Sequence, residues 1–152
     1  MTADHRSGRD ADSEVVESYR LVEQVGFLMR IANQRHTAIF ASRMIEGLTP
    51  PQFATLAKLR EVGPCSQNRL GRLVHLDAAT IKGVVDRLSG RGFVLTAEDP
   101  HDRRRRAVGL TERGHAVADT AILLAREISE ATLEPLSAPE REQLVRLLKK
   151  IG

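Results

Sequence analysis

From Ser13 to Met44 apolar residues recur at three- and four-residue steps, at Val15, Tyr19, Val22, Val25, Leu28, Met29, Ala32, Ile39 and Phe40, which predicts one long amphipathic helix. Its apolar stripe needs a partner. Residues 1–12 lack such periodicity and are rich in Asp, Arg, Ser and Gly, so a disordered leader is expected there. Gly47 stops the long helix, and Thr49-Pro50-Pro51-Gln52 opens the next, with Thr as cap, Pro at the first helical position and Gln returning the capping bond. That second helix carries Phe53, Leu56, Ala57 and Leu59 inward and ends at Gly63-Pro64. Ser66 caps a short third helix with Leu70, Leu73 and Val74 on one buried face. Asp77 caps a fourth, reaching about Ser89 and burying Ile81, Val84, Val85 and Leu88.

The period then changes from that of a helix to that of a strand. Phe93–Ala97 reads as a strand and Ala107–Leu110 as a shorter one, joined by the loop EDPHDRRRR, so the pair forms a hairpin with a charged tip. Thr111 caps a fifth helix running to roughly Ala131, closed by Pro135. Ser137-Ala138-Pro139-Glu140 is a second capping box, and the helix it opens places Leu144, Leu147, Leu148 and Ile151 on one side. The fold class expected is mainly α with one small hairpin. Its organisation is a leader at 1–12, a helix segment at 13–48, a compact region at 49–110 and C-terminal helices at 111–152.

Composition narrows the chemistry. The 152 residues are 41% hydrophobic and 28% charged, one domain's worth of a globular chain. No apolar run approaches the roughly 20 residues needed to span a bilayer, and the polar start has no secretory pattern, so a cytoplasmic protein with no membrane association is expected. The single cysteine, Cys65, has no partner for an internal disulfide and no thiolate cluster for zinc. Neither a cofactor nor a metal is expected. The net charge of +3 is unevenly spread: residues 1–63 hold eight basic and eight acidic side chains, residues 64–115 ten against six, and residues 116–152 five against six. The positive excess lies in the middle of the chain, where a nucleic-acid-binding module would carry it.

Two short helices, a tight turn and a basic-tipped hairpin form the pattern of a winged helix-turn-helix. Burying Ile81, Val84, Val85 and Leu88 leaves Ala78, Ala79, Lys82, Gly83, Asp86 and Arg87 facing outward. Small residues at the start of that face let the backbone approach base edges, and the helix N-terminus adds partial positive charge near phosphate. Gly83 in mid-helix costs about 1 kcal/mol against Ala, which close approach to DNA or close packing against another helix would justify. At the hairpin tip Arg103, Arg104, Arg105 and Arg106 follow Asp99 and Asp102; arginine suits the narrow minor groove, and a nearby carboxylate can hold a guanidinium in place.

These residues resemble the MarR family of transcriptional regulators. LTPPQFATLAKL is similar to the family's approach to the helix-turn-helix, LDAATIKGVVDRLSGRGFV to its recognition helix, and DPHDRRRRAVGLTERG to its wing and the helix after it; the likeness spans about residues 20–152. The resemblance implies a homodimer, joined through the N- and C-terminal helices, that binds double-stranded operator DNA. It implies that Arg104 is the minor-groove arginine with Asp102 orienting it, and that Asp77 helps hold the wing. Ser66, Gln67 and Asn68 match phosphate contacts, and Thr80, Lys82 and Arg87 match positions facing the major groove. Arg105 departs from the family pattern and makes this wing more basic, which strengthens nonspecific attraction.

GFLMRIANQRHTAIF, residues 26–40, resembles the first helix of a subgroup controlling catabolism of aromatic and heteroaromatic acids. By that resemblance the effector is a small aromatic carboxylate, with Arg35 and His36 for the acid and Phe40, Met44 and Phe53 for the ring. Arg35 and His36 making only intersubunit hydrogen bonds is an equally open reading, and His75 and His115 are lone histidines of the kind that are usually structural. Some relatives sense oxidants through a cysteine near the start of the first helix; here Cys65 instead precedes the third helix, and a structural small residue is the better reading. Asp99, His101 and Asp102 crowd the loop, where a solvated tip outweighs a metal site. No nucleophile or acid–base pair points to an enzyme. The rival readings are a winged helix used only for protein contacts and a redox-responsive regulator built on Cys65.

Overall fold

The computed structural model describes residues 6–152, in two compact units that divide between Arg35 and His36. The first unit holds α1 (Arg6–Ser18), a single 3-10 turn at Leu21–Glu23 and the start of α2 (Val25–Arg43). The expected single helix from Ser13 to Met44 is therefore two helices. They separate where Arg20 and Gln24 take extended backbone angles on either side of the turn. Residues 6–12 of the expected leader lie in α1, with residues 8–12 exposed, and residues 1–5 lie outside the described residues. Val15, Val16, Tyr19, Leu21, Val22, Val25, Leu28, Met29 and Ile31 are exposed in the single chain, so the apolar stripe read from the sequence is present and uncovered.

The second unit contains the core. After α2, a turn at Ile45–Gly47 leads into α3 (Pro50–Val62), then α4 (Gln67–Leu73), α5 (Ala78–Gly90), β1 (Val94–Glu98), β2 (Arg106–Leu110), α6 (Glu112–Thr132) and α7 (Ala138–Ile151). All five expected caps are made by their side chains; Thr49, Asp77, Thr111 and Ser137 accept from the backbone of Gln52, Thr80, Gly114 and Glu140. Both capping boxes close in full, with Gln52 and Glu140 accepting from the N–H of Thr49 and Ser137. Ser66 caps α4 in the same way, its hydroxyl accepting from the Arg69 N–H at 3.2 Å.

Leu56, Leu59, Leu70, Ile81, Val84, Val85, Leu88, Phe93, Val108, Ala118 and Ala121 form one contiguous core, the larger of them each contributing roughly 2 kcal/mol by leaving water. All four residues assigned to the buried face of α5 are in it. On α3 the inward set differs in one respect: Thr55 is fully buried where Phe53 and Ala57 are only half-buried, and its hydroxyl is satisfied by donating to the Pro51 carbonyl at 2.8 Å. A buried threonine satisfied within its own helix leaves no trace in an apolar count. The helix-turn-helix corner closes with the Leu76 N–H on the Gly71 carbonyl at 2.9 Å, while His75 takes a left-handed conformation.

The hairpin pairs Val94 with Leu110 through Glu98 with Arg106 in antiparallel register. On its other edge β2 exchanges two backbone hydrogen bonds with Cys65, of 2.8 and 3.1 Å, which fastens the start of the helix-turn-helix to the wing. At its base the hairpin crosses α6. The Thr111 N–H donates to the Phe93 carbonyl at 3.0 Å, and a Cβ on Gly114 would fall 1.8 Å from that same oxygen. Only glycine fits there, which accounts physically for the Leu110-Thr111-x-x-Gly114 spacing. No helix among the described residues is long and apolar enough to cross a membrane.

Gly114→Ala is expected to lower stability by about 2–3 kcal/mol, because relief requires moving backbone rather than a side-chain tip. Urea unfolding followed by circular dichroism checks it; a loss below about 0.5 kcal/mol would mean that hairpin and helix part freely.

Candidate nucleic-acid interface

The face of α5 left outside the core is Ala78, Ala79, Lys82, Asp86 and Arg87, all exposed, with Gly83 half-buried among them. Its first turn is ordered by Asp77, whose carboxylate accepts the Thr80 N–H at 2.7 Å. That bond, and then the Thr80 hydroxyl, hold the Asp77 carboxyl below the usual carboxylate range, so the cap persists at neutral pH and is lost only as acid protonates it. The Asp77 carboxylate makes the cap and no ion pair with the wing among the described residues. Lys82 is paired with Asp86 at 2.7 Å one turn on, an exposed contact that phosphate or a base edge can replace at little cost.

Gly83 has a clear geometric setting. A Cβ there would meet only the Arg87 guanidinium, at 3.6 Å, so no helix packs against it. It lines an open groove of about 600 Å³ between α5 and the first turn of α3, shared with Thr49, Pro51, Gln52, Ala79, Thr80, Val84 and Arg87. Of the two reasons offered for this glycine, helix packing falls away. Ser66 and Gln67 are half-buried and Asn68 is exposed at the start of α4, the Ser66 hydroxyl being spent on its cap.

The wing tip is organised by its carboxylates. Asp102 Oδ1 accepts from the Arg104 N–H at 3.0 Å and from Arg104 Nε at 3.3 Å, while Asp102 Oδ2 stands 3.7 Å from Arg105 Nε. The backbone N–H of Arg104, then its side chain, and the charge of Arg105 hold the Asp102 carboxyl below its ordinary value. The loop closes with the Asp99 N–H on the Arg105 carbonyl and the Arg105 N–H on the Asp102 carbonyl. Arg103, Arg104 and Arg105 are exposed, the Arg104 side chain 91% so. Arg106 is exposed as well, but its guanidinium donates to the Thr96 carbonyl across the strands at 2.9 Å. Asp99 is occupied with the His101 N–H, and no group of three or more His, Cys, Asp or Glu is placed to hold a metal ion among the described residues.

Against known proteins, a model of the MarR family matches residues 48–105. The HTH-type transcriptional repressor NicR of Pseudomonas putida is 47% identical over 134 residues, covering 88% of this chain and 85% of that protein. The chain belongs to the MarR family. Two solved structures align over 88% of it: a probable transcriptional regulator from Pseudomonas aeruginosa, at 50% identity with a TM-score of 0.83 and all 100% of that chain covered, and Bordetella bronchiseptica BpsR, at 39% identity with a TM-score of 0.81 and 96% covered. BpsR is a protein whose DNA binding is regulated by 6-hydroxynicotinic acid. As a MarR regulator, the chain is a DNA-binding transcription factor and not an enzyme, and the winged helix read from its sequence is the family's.

The residues expected to meet an effector are partly gathered. Phe40 and Met44 wall a cavity of about 230 Å³ with Thr37, Ala41, Gly47, Leu48, Thr49 and Pro50. Phe53 packs edge-on behind Phe40, ring centroids 6.0 Å apart. His36 lies 6.4 Å from Phe40 between ring centroids, and its Nδ1 shares a 2.8 Å hydrogen bond with the Thr132 hydroxyl, so it has a partner in its own chain. Arg35 is exposed on α2, and His75 and His115 are exposed away from that cavity's walls. Sequence reasoning missed a contact elsewhere: Arg91, at the end of α5, reaches back to Glu46. Only the Arg-Gly-Phe turn after α5 hinted at a side chain free to fold back.

Cys65 is 3% exposed. Burial pushes its thiol up, the charge of Arg69 pulls it partly back and Asp99 pushes it further up. A neutral, enclosed thiol is a poor nucleophile. Native protein at pH 7.5 should react with a disulfide thiol reagent at least roughly tenfold more slowly than urea-unfolded protein; equal rates would revive the redox reading.

Proposed function

We infer that the chain represses transcription as a homodimer on a pseudo-palindromic operator and lets go when a small aromatic or heteroaromatic carboxylate binds. The observation that carries this is the joint display, on one compact unit, of an uncovered α5 face and a wing whose exposed Arg104 and Arg105 pair with Asp102. Residues 49–110 are the DNA-binding region. Ala78, Ala79, Thr80, Lys82, Gly83 and Arg87 face the major groove, with Asp77 setting the helix start; Arg103, Arg104 and Arg105, with Asp102, serve the minor groove; and Ser66, Gln67 and Asn68 lie against phosphate.

Residues 13–48 and 111–152 are the dimer-forming parts. Each carries large apolar side chains that water would otherwise meet, Val22, Val25 and Leu28 in the one and Leu123, Leu147, Leu148 and Ile151 in the other, and a second copy of the chain covers them. The cavity beside Phe40 and Met44, smaller than the 300–1,000 Å³ typical of drug-sized ligands, suits a single-ring acid. His36 and Arg35 supply the polar end. The repressor name of NicR and the response of BpsR to 6-hydroxynicotinic acid support both halves of this reading.

Arg104→Ala should weaken operator binding by roughly five- to tenfold and flatten its salt dependence while the protein stays dimeric. Lys82→Ala should change the preferred operator sequence. Fluorescence anisotropy with labelled operator, at several salt concentrations, checks both; unchanged affinity and an unchanged sequence profile would remove the wing and α5 from the account. Adding 6-hydroxynicotinate and related hydroxylated ring acids to the complex should release the DNA, and a panel in which no acid does so would refute the effector assignment.

A further inference from the structure

One column of contacts in the larger unit joins parts of the chain that the local motifs treat separately. Between α2 and α3 the chain turns on two consecutive left-handed residues, Glu46 at φ 58° and Gly47 at φ 60°, the first in a conformation disfavoured for a side chain with a Cβ. The Arg91 guanidinium, at the C-terminal end of α5, donates to the Glu46 carbonyl at 2.6 Å and to its carboxylate at 3.3 Å. The same guanidinium lies 4.7 Å from the centroid of the fully buried Phe93 ring, and the Arg113 guanidinium lies 5.0 Å from it. Arg113 also donates to the Arg91 carbonyl at 3.5 Å. A planar guanidinium clamped on a ring and bonded to a carbonyl has little freedom to swing away.

The linker held by this clamp also walls the small cavity, through Met44, Gly47, Leu48 and Thr49. We propose that Arg91 is a positioning residue that straps the end of α5 to the cavity-lining linker, so that a ligand pushing on Gly47 and Leu48 re-aims the recognition helix. This rests on the effector and operator assignments above. The short bond is to the backbone carbonyl, so the strap depends on the shape of the turn more than on the Glu46 charge. A linker that the α5 end holds directly responds to α5 as much as α5 responds to it, because coupling between two binding sites is reciprocal. Operator DNA must therefore quieten the linker, although the linker need not touch DNA.

Amide hydrogen exchange of residues 44–49 in the full chain, free and saturated with operator, tests this without any effector. In the wild type, operator binding should slow exchange there by at least roughly fivefold. Glu46→Asn, which keeps the carbonyl and tolerates the left-handed backbone, should behave alike. Arg91→Ala, measured at operator concentrations that saturate it, should leave linker exchange unchanged by DNA. If the linker of Arg91→Ala slows as much as that of the wild type, or the wild-type linker does not respond, the strap is overturned and the operator-binding reading stands. Failure of the wild type to bind operator would overturn both. Weaker DNA binding by Arg91→Ala with the linker response intact would make Arg91 a phosphate contact, and that result also overturns the proposal.

Discussion

The winged helix is held in shape at one crossing, where the backbone of Phe93 runs beneath the first turn of α6. The Phe93 carbonyl accepts the Thr111 N–H, the Thr111 hydroxyl donates to the Gly92 carbonyl at 2.6 Å, and Gly114 leaves the space that any Cβ would fill. The Phe93 ring, wholly buried, faces the core below and two arginines beside it. Because α5 ends and the hairpin begins within three residues of this point, the angle between recognition helix and wing is set there. Moving the crossing would move both α5 and the wing, the elements proposed to face DNA.

A second constraint is the use of carboxylates as fixtures for cations and for helix starts. Asp77 spends its charge on the first turn of α5, and Asp102 spends its charge on Arg104 and Arg105. Neither neutralises the surface, since the guanidiniums remain turned to solvent. Ordering a charged side chain before DNA arrives lowers the entropy cost of the contact. Depressed carboxyl titration follows from the same hydrogen bonds, so these fixtures hold throughout the neutral range and fail only in acid.

The sequence carried the local structure because caps, apolar spacing and turn residues act over four or five positions. The Thr49 and Ser137 boxes, the Asp77 and Thr111 caps and the buried set of α5 all lie within that range, and all formed as read. The Asp102-x-Arg104 pairing was legible for the same reason. Contacts between residues distant in the chain were not: Arg91 with Glu46, Arg60 with Asp119 at 2.7 Å, His36 with Thr132 and the Cys65–Val108 bridge span from 43 to 96 positions. The break between α1 and α2 escaped because both helices keep apolar residues in near-helical phase across it.

The sequence by itself therefore determined the helices and hairpin from Pro50 onward, the buried face of α5 and where basic side chains concentrate, but not the division of the N-terminal segment into α1 and α2. Tertiary structure alone decided that Gly83 opens onto a groove rather than onto a helix, that the Arg106 guanidinium is tied to the Thr96 carbonyl, and that Cys65 is sealed between helix and wing. It also decided that the end of α5 grips the Glu46 carbonyl. The reason is one of range: propensity and periodicity are properties of neighbours along the chain, whereas enclosure of a thiol or reach of a guanidinium depends on what the fold brings beside it.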